Sequence, residues 1–151
     1  MDASSKDLLY FPLKQFSSRF GENIFTINIG DYERMDSIKS CAGSFVVYHI
    51  AVSRGKSSWI VRKRFSEFDL FRSYLVSSYP NVTQQFPPLP AKTLLSVAKD
   101  DAFLAERQEQ LMSFMDNTLK SLHLEKLLED PKLADFLEFS SHRILSTPQV
   151  I

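Results

Sequence analysis

Three consecutive cations, Arg62-Lys63-Arg64, stand between a β-favouring run and a helix start, and this junction constrains the chain more than any other stretch. Trp59-Ile60-Val61 ahead of the cations favours strand. Behind them, Ser66-x-x-Asp69 with Phe68, Phe71 and Leu75 at helical spacing predicts a capping-box-like start to a helix over 66–79, ended by Pro80. Rigid elements on both sides then hold the junction side chains at fixed angles. Period-2 alternation over 59–64 puts Ile60, Arg62 and Arg64 on one face and Trp59, Val61 and Lys63 on the other. Two readings follow for the triplet: Arg64 binds a phosphate group, or the cations are the solvated end of a basic strand.

The flanking segments predict a small meander. Phe25, Ile27 and Ile29 alternate with Thr26 and Asn28, a half-buried strand over 24–29 that Gly30-Asp31 ends. Asp31 to Gly43 is polar and irregular, and reads as a long turn or loop. Phe45 to Val52 is a second strand, with Val46, Tyr48, Ile50 and Val52 on one face. Ser53-Arg54-Gly55-Lys56-Ser57 turns it back into the third strand, 59–64. The first strand is expected to pair antiparallel as well. Residues 1–22 carry apolar residues without a clean period and are expected to be an N-terminal tail; 141–151 reads as a C-terminal tail or linker, leaving 23–140 as the domain.

The second half is helical and acidic. Phe86-Pro87-Pro88-Leu89-Pro90-Ala91-Lys92 forbids helix and favours an extended, polyproline-like segment. The apolar run Thr93-Leu94-Leu95-Ser96-Val97-Ala98 follows it. The longest helix is predicted over 101–122, with Asp100 or Asp101 to cap it and complement its dipole. Its apolar face runs Phe103, Arg107, Leu111, Phe114, Thr118 and Leu122. An arginine inside that stripe has to be paired, because an unpaired guanidinium is costly to bury. It meets an internal carboxylate, or it lines a pocket that receives an anion. Leu124 to Leu128 predicts a further short helical turn, and Asp130-Pro131, an N-cap and a first helical position, opens a last helix to about Phe139.

Composition excludes more than it identifies. The 151 residues carry no net charge, but from Arg54 to Lys92 seven basic residues face two acidic ones, a local +5, and from Thr93 to Phe139 five face ten, a local −5. That segregation fits a positive face with a specific anionic partner, and the balanced total and acidic long helix argue against nucleic acid. Cys41 is the single cysteine, so no intramolecular disulfide or cysteine metal cluster forms, and His49, His123 and His142 lack ligand spacing; no cofactor is expected. Four glycines make no phosphate loop, and no nucleophile–base motif stands out, so catalysis is not expected. No apolar run approaches a membrane span, and the N-terminus lacks the regions of a signal peptide; a cytosolic or membrane-peripheral protein is expected.

Taken together, these motifs resemble the PX (phox-homology) domain, a phosphoinositide-binding module. Lys63-Arg64-Phe65-Ser66-Glu67-Phe68 resembles the family's Arg-Arg/Lys-Tyr/Phe-x-x-Phe signature, Pro87-Pro88-Leu89-Pro90 with Lys92 its proline-rich loop, and Glu106-Arg107 with Leu111 and Phe114 its second arginine motif. The resemblance covers roughly 23–139. It implies an α+β fold, a three-stranded antiparallel sheet packed against a helical subdomain with a proline-rich loop. It implies phosphatidylinositol 3-phosphate and an anionic membrane surface as partners. The protein would lie in the cytoplasm, peripheral on early endosome membranes, in a sorting-nexin-like trafficking role alongside proteins of a trafficking complex. Carried over, Arg64 holds the 3-phosphate, Phe65 lies beneath the inositol ring, Lys92 contacts the 1-phosphate and Arg107 binds the 4- and 5-hydroxyls. Leu94, Leu95 and Val97 resemble the family's membrane-insertion loop; the alternative is that they pack under the helix. Pro87-x-x-Pro90 also suits an SH3 ligand, though a rigid pocket wall accounts for the same prolines. Lys63 departs from the arginine of many members, and Phe65 lacks the hydroxyl of tyrosine. The competing function is a PX-like protein-interaction module with weak or no lipid specificity.

Overall fold

The computed structural model describes residues 8–17, 19, 21, 24–35, 45–80, 89, 101–122 and 130–139. Four strands form one sheet in the order β1-β2-β3-β4: β1 (Leu9–Tyr10), β2 (Ile24–Met35), β3 (Phe45–Arg54) and β4 (Ser57–Arg64). Three α-helices follow among the described residues: α1 (Phe65–Ser78), α2 (Asp101–Leu122) and α3 (Pro131–Phe136). β2, β3 and β4 are the expected antiparallel sheet. β3 and β4 are joined by Gly55-Lys56, where Gly55 takes φ +59°, a left-handed conformation that a side chain would disfavour. The short β1 adds a parallel edge, Leu9 opposite Ile24 and Tyr10 opposite Phe25, within the stretch expected to be tail.

The chain forms two units. The first takes its described residues from Met1–Asn28, Ala51–Val61 and Leu119–Ile151. Its core is a chain of rings. Tyr10 tilts against Phe25 at 5.4 Å, and Phe139 meets Phe25 and Trp59 edge-on at 5.1 and 5.6 Å. Edge-to-face pairing suits the ring quadrupoles. The buried Trp59 indole N–H donates to the Leu137 carbonyl at 3.0 Å, which satisfies both polar groups. Asp130 caps α3 as expected, accepting from the Lys132 and Leu133 amides at 3.0 and 3.3 Å.

The second unit comprises Ile29–Ile50 and Arg62–Thr118. It packs α1 and α2 on the sheet around Ile29, Tyr48, Ile50, Phe68, Phe71, Leu75, Leu104, Leu111, Phe114 and Met115, all buried. Tyr48 and Phe68 bring strand and helix together edge-on at 6.5 Å. α2 also supplies polar partners to the strand: Gln108 Nε2 donates to the Ile29 carbonyl at 3.1 Å, and the Ile29 amide donates to Met112 Sδ at 3.3 Å. These two side chains stand at i and i+4, one face of the helix.

Two sequence expectations are corrected here. β2 does not stop at Gly30-Asp31 but runs on to Met35. The extension is polar on both faces, so no apolar alternation marks it. Cross-element contacts hold it instead: Glu33 Oε1 lies 3.1 Å from His49 Nε2 on β3, and Tyr32 and Arg34 both reach Asp101. The second correction concerns the cap of α1. The N-cap is Arg64, and the residue three positions on is Glu67, whose carboxylate accepts the Arg64 amide at 2.8 Å. The helix therefore starts at Phe65, directly behind the strand, and Ser66 and Asp69 lie inside it.

Candidate functional site: an arginine–aromatic junction

All the site contacts that follow lie within the second unit. Arg64 is the last residue of β4 and the N-cap of α1, with extended backbone at φ −85°, ψ 161°. Strand alternation turns its side chain to the exposed face of β4, as the sequence predicts. Its guanidinium carbon lies 4.1 Å from the centroid of the Phe45 ring on the neighbouring strand. Arg62 shares that face, with Nε 4.0 Å from Glu33 Oε1, so its charge is partly answered within the sheet.

Phe65 is the first residue of α1, and the guanidinium of Arg107 on α2 lies 3.9 Å from its ring centroid. Phe103, one helical turn before Arg107 on the same face, adds a second ring at 4.8 Å. Arg107 is 7% exposed, and burial lowers its pKa from the ordinary arginine range, while the nearby Tyr48 phenol works to raise it. Tyr48 is itself 1% exposed. Burial pushes its hydroxyl up to about 12, the positive charge of Arg107 pulling the other way, and the oxygen makes no hydrogen bond among the described residues. The puzzle of an arginine in an apolar stripe thus has a structural answer: aromatic faces cover it. Ring and guanidinium attract through the ring quadrupole, and the N–H donors of a guanidinium radiate in its own plane rather than from its face.

The structure therefore brings Phe65 and Arg107 together and places Arg64 at the strand–helix junction, next to Phe65 in sequence. Lys92, Leu94, Leu95 and Val97 lie outside the described residues, as do all the prolines of the 87–90 segment. Phe45, Phe103 and Tyr48 are neighbours of the two arginines that the sequence motifs do not name. For Phe103 the signal was available, since it precedes Arg107 by four residues on a helix. For Phe45 and Tyr48 none was, because cross-strand and strand–helix proximity is not local in sequence.

At the start of α2 stands a second cluster. Asp101 accepts from the Tyr32 hydroxyl at 3.2 Å and pairs with Arg34. Hydrogen bonding from Arg34, then from Tyr32, holds its carboxyl below the ordinary range, and its negative charge complements the helix dipole. Among the described residues no group of three or more metal-ligating side chains occurs, and no helix is long and apolar enough to cross a membrane.

A small antiparallel sheet against helices, with arginines lying on aromatic rings where strand meets helix, makes this an α+β domain. The PX domain family model matches residues 51–140, well over half of the chain, and the protein belongs to that family, whose domains are non-catalytic lipid-binding modules. The chain is 31% identical over 104 residues to the serine/threonine-protein kinase Sgk3 of Rattus norvegicus, covering 69% of this chain and 20% of the kinase. It is 30% identical over 132 residues to sorting nexin-2 of Homo sapiens, covering 78% of this chain and 25% of that protein. It thus spans a fifth to a quarter of these relatives. The X-ray structure of a designed CISK-PX domain superposes with a TM-score of 0.54 at 27% identity, over 75% of this chain and 95% of that one. The relatives and the fold support a sorting-nexin-like domain.

Proposed function

We propose that this domain reads phosphatidylinositol 3-phosphate on endosomal membranes and places the protein that carries it there for membrane trafficking. The observation that carries the reading is the contact between Arg107 and Phe65. Two residues from separate helices, each singled out by a separate motif, meet at 3.9 Å next to the cation that ends β4. In this reading Arg64 binds the 3-phosphate, because a guanidinium offers planar paired donors to phosphate oxygens. Lys92 supplies a mobile point charge to the 1-phosphate diester. Phe65 covers the C–H face of the inositol ring, which asks for no polar partner. Arg107 gives its rim donors to the 4- and 5-hydroxyls, exchanging the face of Phe65 for the sugar as the ligand takes that ring. Leu94, Leu95 and Val97 follow Lys92 and enter the bilayer while the cations meet headgroups.

The experiment is a titration of the domain against vesicles carrying each phosphoinositide in turn. Saturable binding to the 3-phosphate vesicles, absent or much weaker on the 4- and 5-phosphate ones, is the expected result. Equal binding to all of them, or to plain anionic vesicles, refutes the proposal.

A further inference from the structure

We infer that Phe45 and Phe103 are positioning residues that hold Arg64 and Arg107 by their faces and so aim both guanidiniums at the ligand. The inference rests on the reading of Arg64 and Arg107 as ligand-binding residues, and extends the site to two side chains outside the family motifs quoted above. Arg64 is an exposed, long side chain at the end of a strand, and its guanidinium lies 4.1 Å from the Phe45 ring centroid. Free in solvent, such a side chain samples many rotamers and loses that freedom on binding. A ring from the adjacent strand removes much of the loss in advance. It also does so without spending donors, because the guanidinium stacks by its face and its N–H groups radiate in its plane.

Arg107 needs its second ring for a different reason. Among the described residues two rings lie near its guanidinium, Phe65 at 3.9 Å and Phe103 at 4.8 Å. Once an inositol ring covers Phe65, the guanidinium gives up that partner. Phe103 remains, fixed one turn away on the same helix. It keeps the cation at the pocket wall at the moment the sugar hydroxyls replace the Phe65 ring as partner.

The test uses the soluble headgroup inositol 1,3-bisphosphate and four variants: Phe45→Leu, Phe45→Tyr, Phe103→Leu and Phe103→Tyr. Leucine keeps apolar bulk and removes the quadrupole; tyrosine restores the face. Each leucine variant is expected to bind about three- to tenfold more weakly, the range that one cation–π contact supports, with its melting temperature close to wild type. Each tyrosine variant is expected to recover the affinity. In the ligand-free wild type, the Arg107 side-chain protons should show upfield ring-current shifts that shrink in Phe103→Leu. Leucine variants that bind like wild type while Arg64→Ala has lost binding would overturn this inference alone. A loss that tyrosine fails to rescue would assign the two rings to packing and overturn it as well. If the wild type does not bind this headgroup, or Arg64→Ala binds it equally well, the reading of the site falls and the inference with it.

Discussion

Arg107→Met separates a binding role for this arginine from a structural one. Methionine keeps an unbranched, polarizable chain against Phe65 and Phe103, so the packing volume is largely retained. The change removes two ring–cation contacts, each about 0.5–1 kcal/mol. Against that loss, it also removes the penalty of burying a cation that is only 7% exposed. The two effects oppose, and the net change in stability is expected within about 1 kcal/mol, or roughly 2–4 °C in melting temperature for a domain of this size. Binding should respond far more. Two charge-assisted hydrogen bonds to sugar hydroxyls at about 1.5 kcal/mol each, the low end of their range, amount to about a hundredfold in affinity. Calorimetric titration with inositol 1,3-bisphosphate, paired with differential scanning calorimetry, reads both. If the guanidinium instead serves an internal ion pair, breaking it leaves a buried carboxylate, at about 3–5 kcal/mol. A fall in melting temperature of more than about 10 °C, or an unchanged affinity, would therefore refute the reasoning.

Three further outcomes follow from other contacts. Trp59→Phe leaves the Leu137 carbonyl without its indole donor; stability should drop by about 1–3 kcal/mol, with headgroup affinity unchanged, as chemical denaturation and titration would show. Leu95→Asp should weaken flotation with vesicles while soluble headgroup binding persists; equal loss in both would make the loop structural. Asp101 should titrate below the ordinary aspartate range, because Arg34 and Tyr32 both stabilise its carboxylate. A carboxyl with a depressed folded value contributes stability above its unfolded value, and that contribution disappears as pH falls through the folded value. Carboxyl NMR should show the midpoint rising in Arg34→Ala; an unmoved midpoint would mean that the pair does not form in solution.

The sheet and the two long helices were legible wherever burial imposes a period. Phe25, Ile27 and Ile29 mark β2, Trp59 and Val61 mark β4, and the limits of α2 coincide with Asp101 and Leu122 as read. What escaped the sequence is held by partners distant along the chain. The outer end of β2 has no apolar face, and Tyr32 and Arg34 are fixed by Asp101. Leu9 and Tyr10 are too short a strand to show a period, and they declare themselves only by pairing with Ile24 and Phe25. The cap of α1 was misplaced because Ser66 and Asp69 fit a common pattern, whereas the acceptor used is Glu67, reaching back to a strand residue. At the site, Arg107 could be singled out because a cation breaks an apolar stripe. Of the rings beside it, Phe103 is legible as its neighbour one turn earlier, whereas the approach of Phe65 is not, since Phe65 arrives from another helix.

The most direct test is vesicle flotation of wild type and Arg64→Ala, side by side, with and without phosphatidylinositol 3-phosphate in the same anionic background. The account predicts that wild type floats with the 3-phosphate vesicles alone, and that Arg64→Ala stays at the bottom of the gradient with its melting temperature intact. Equal flotation of the two proteins, or failure of the wild type to float, would contradict it.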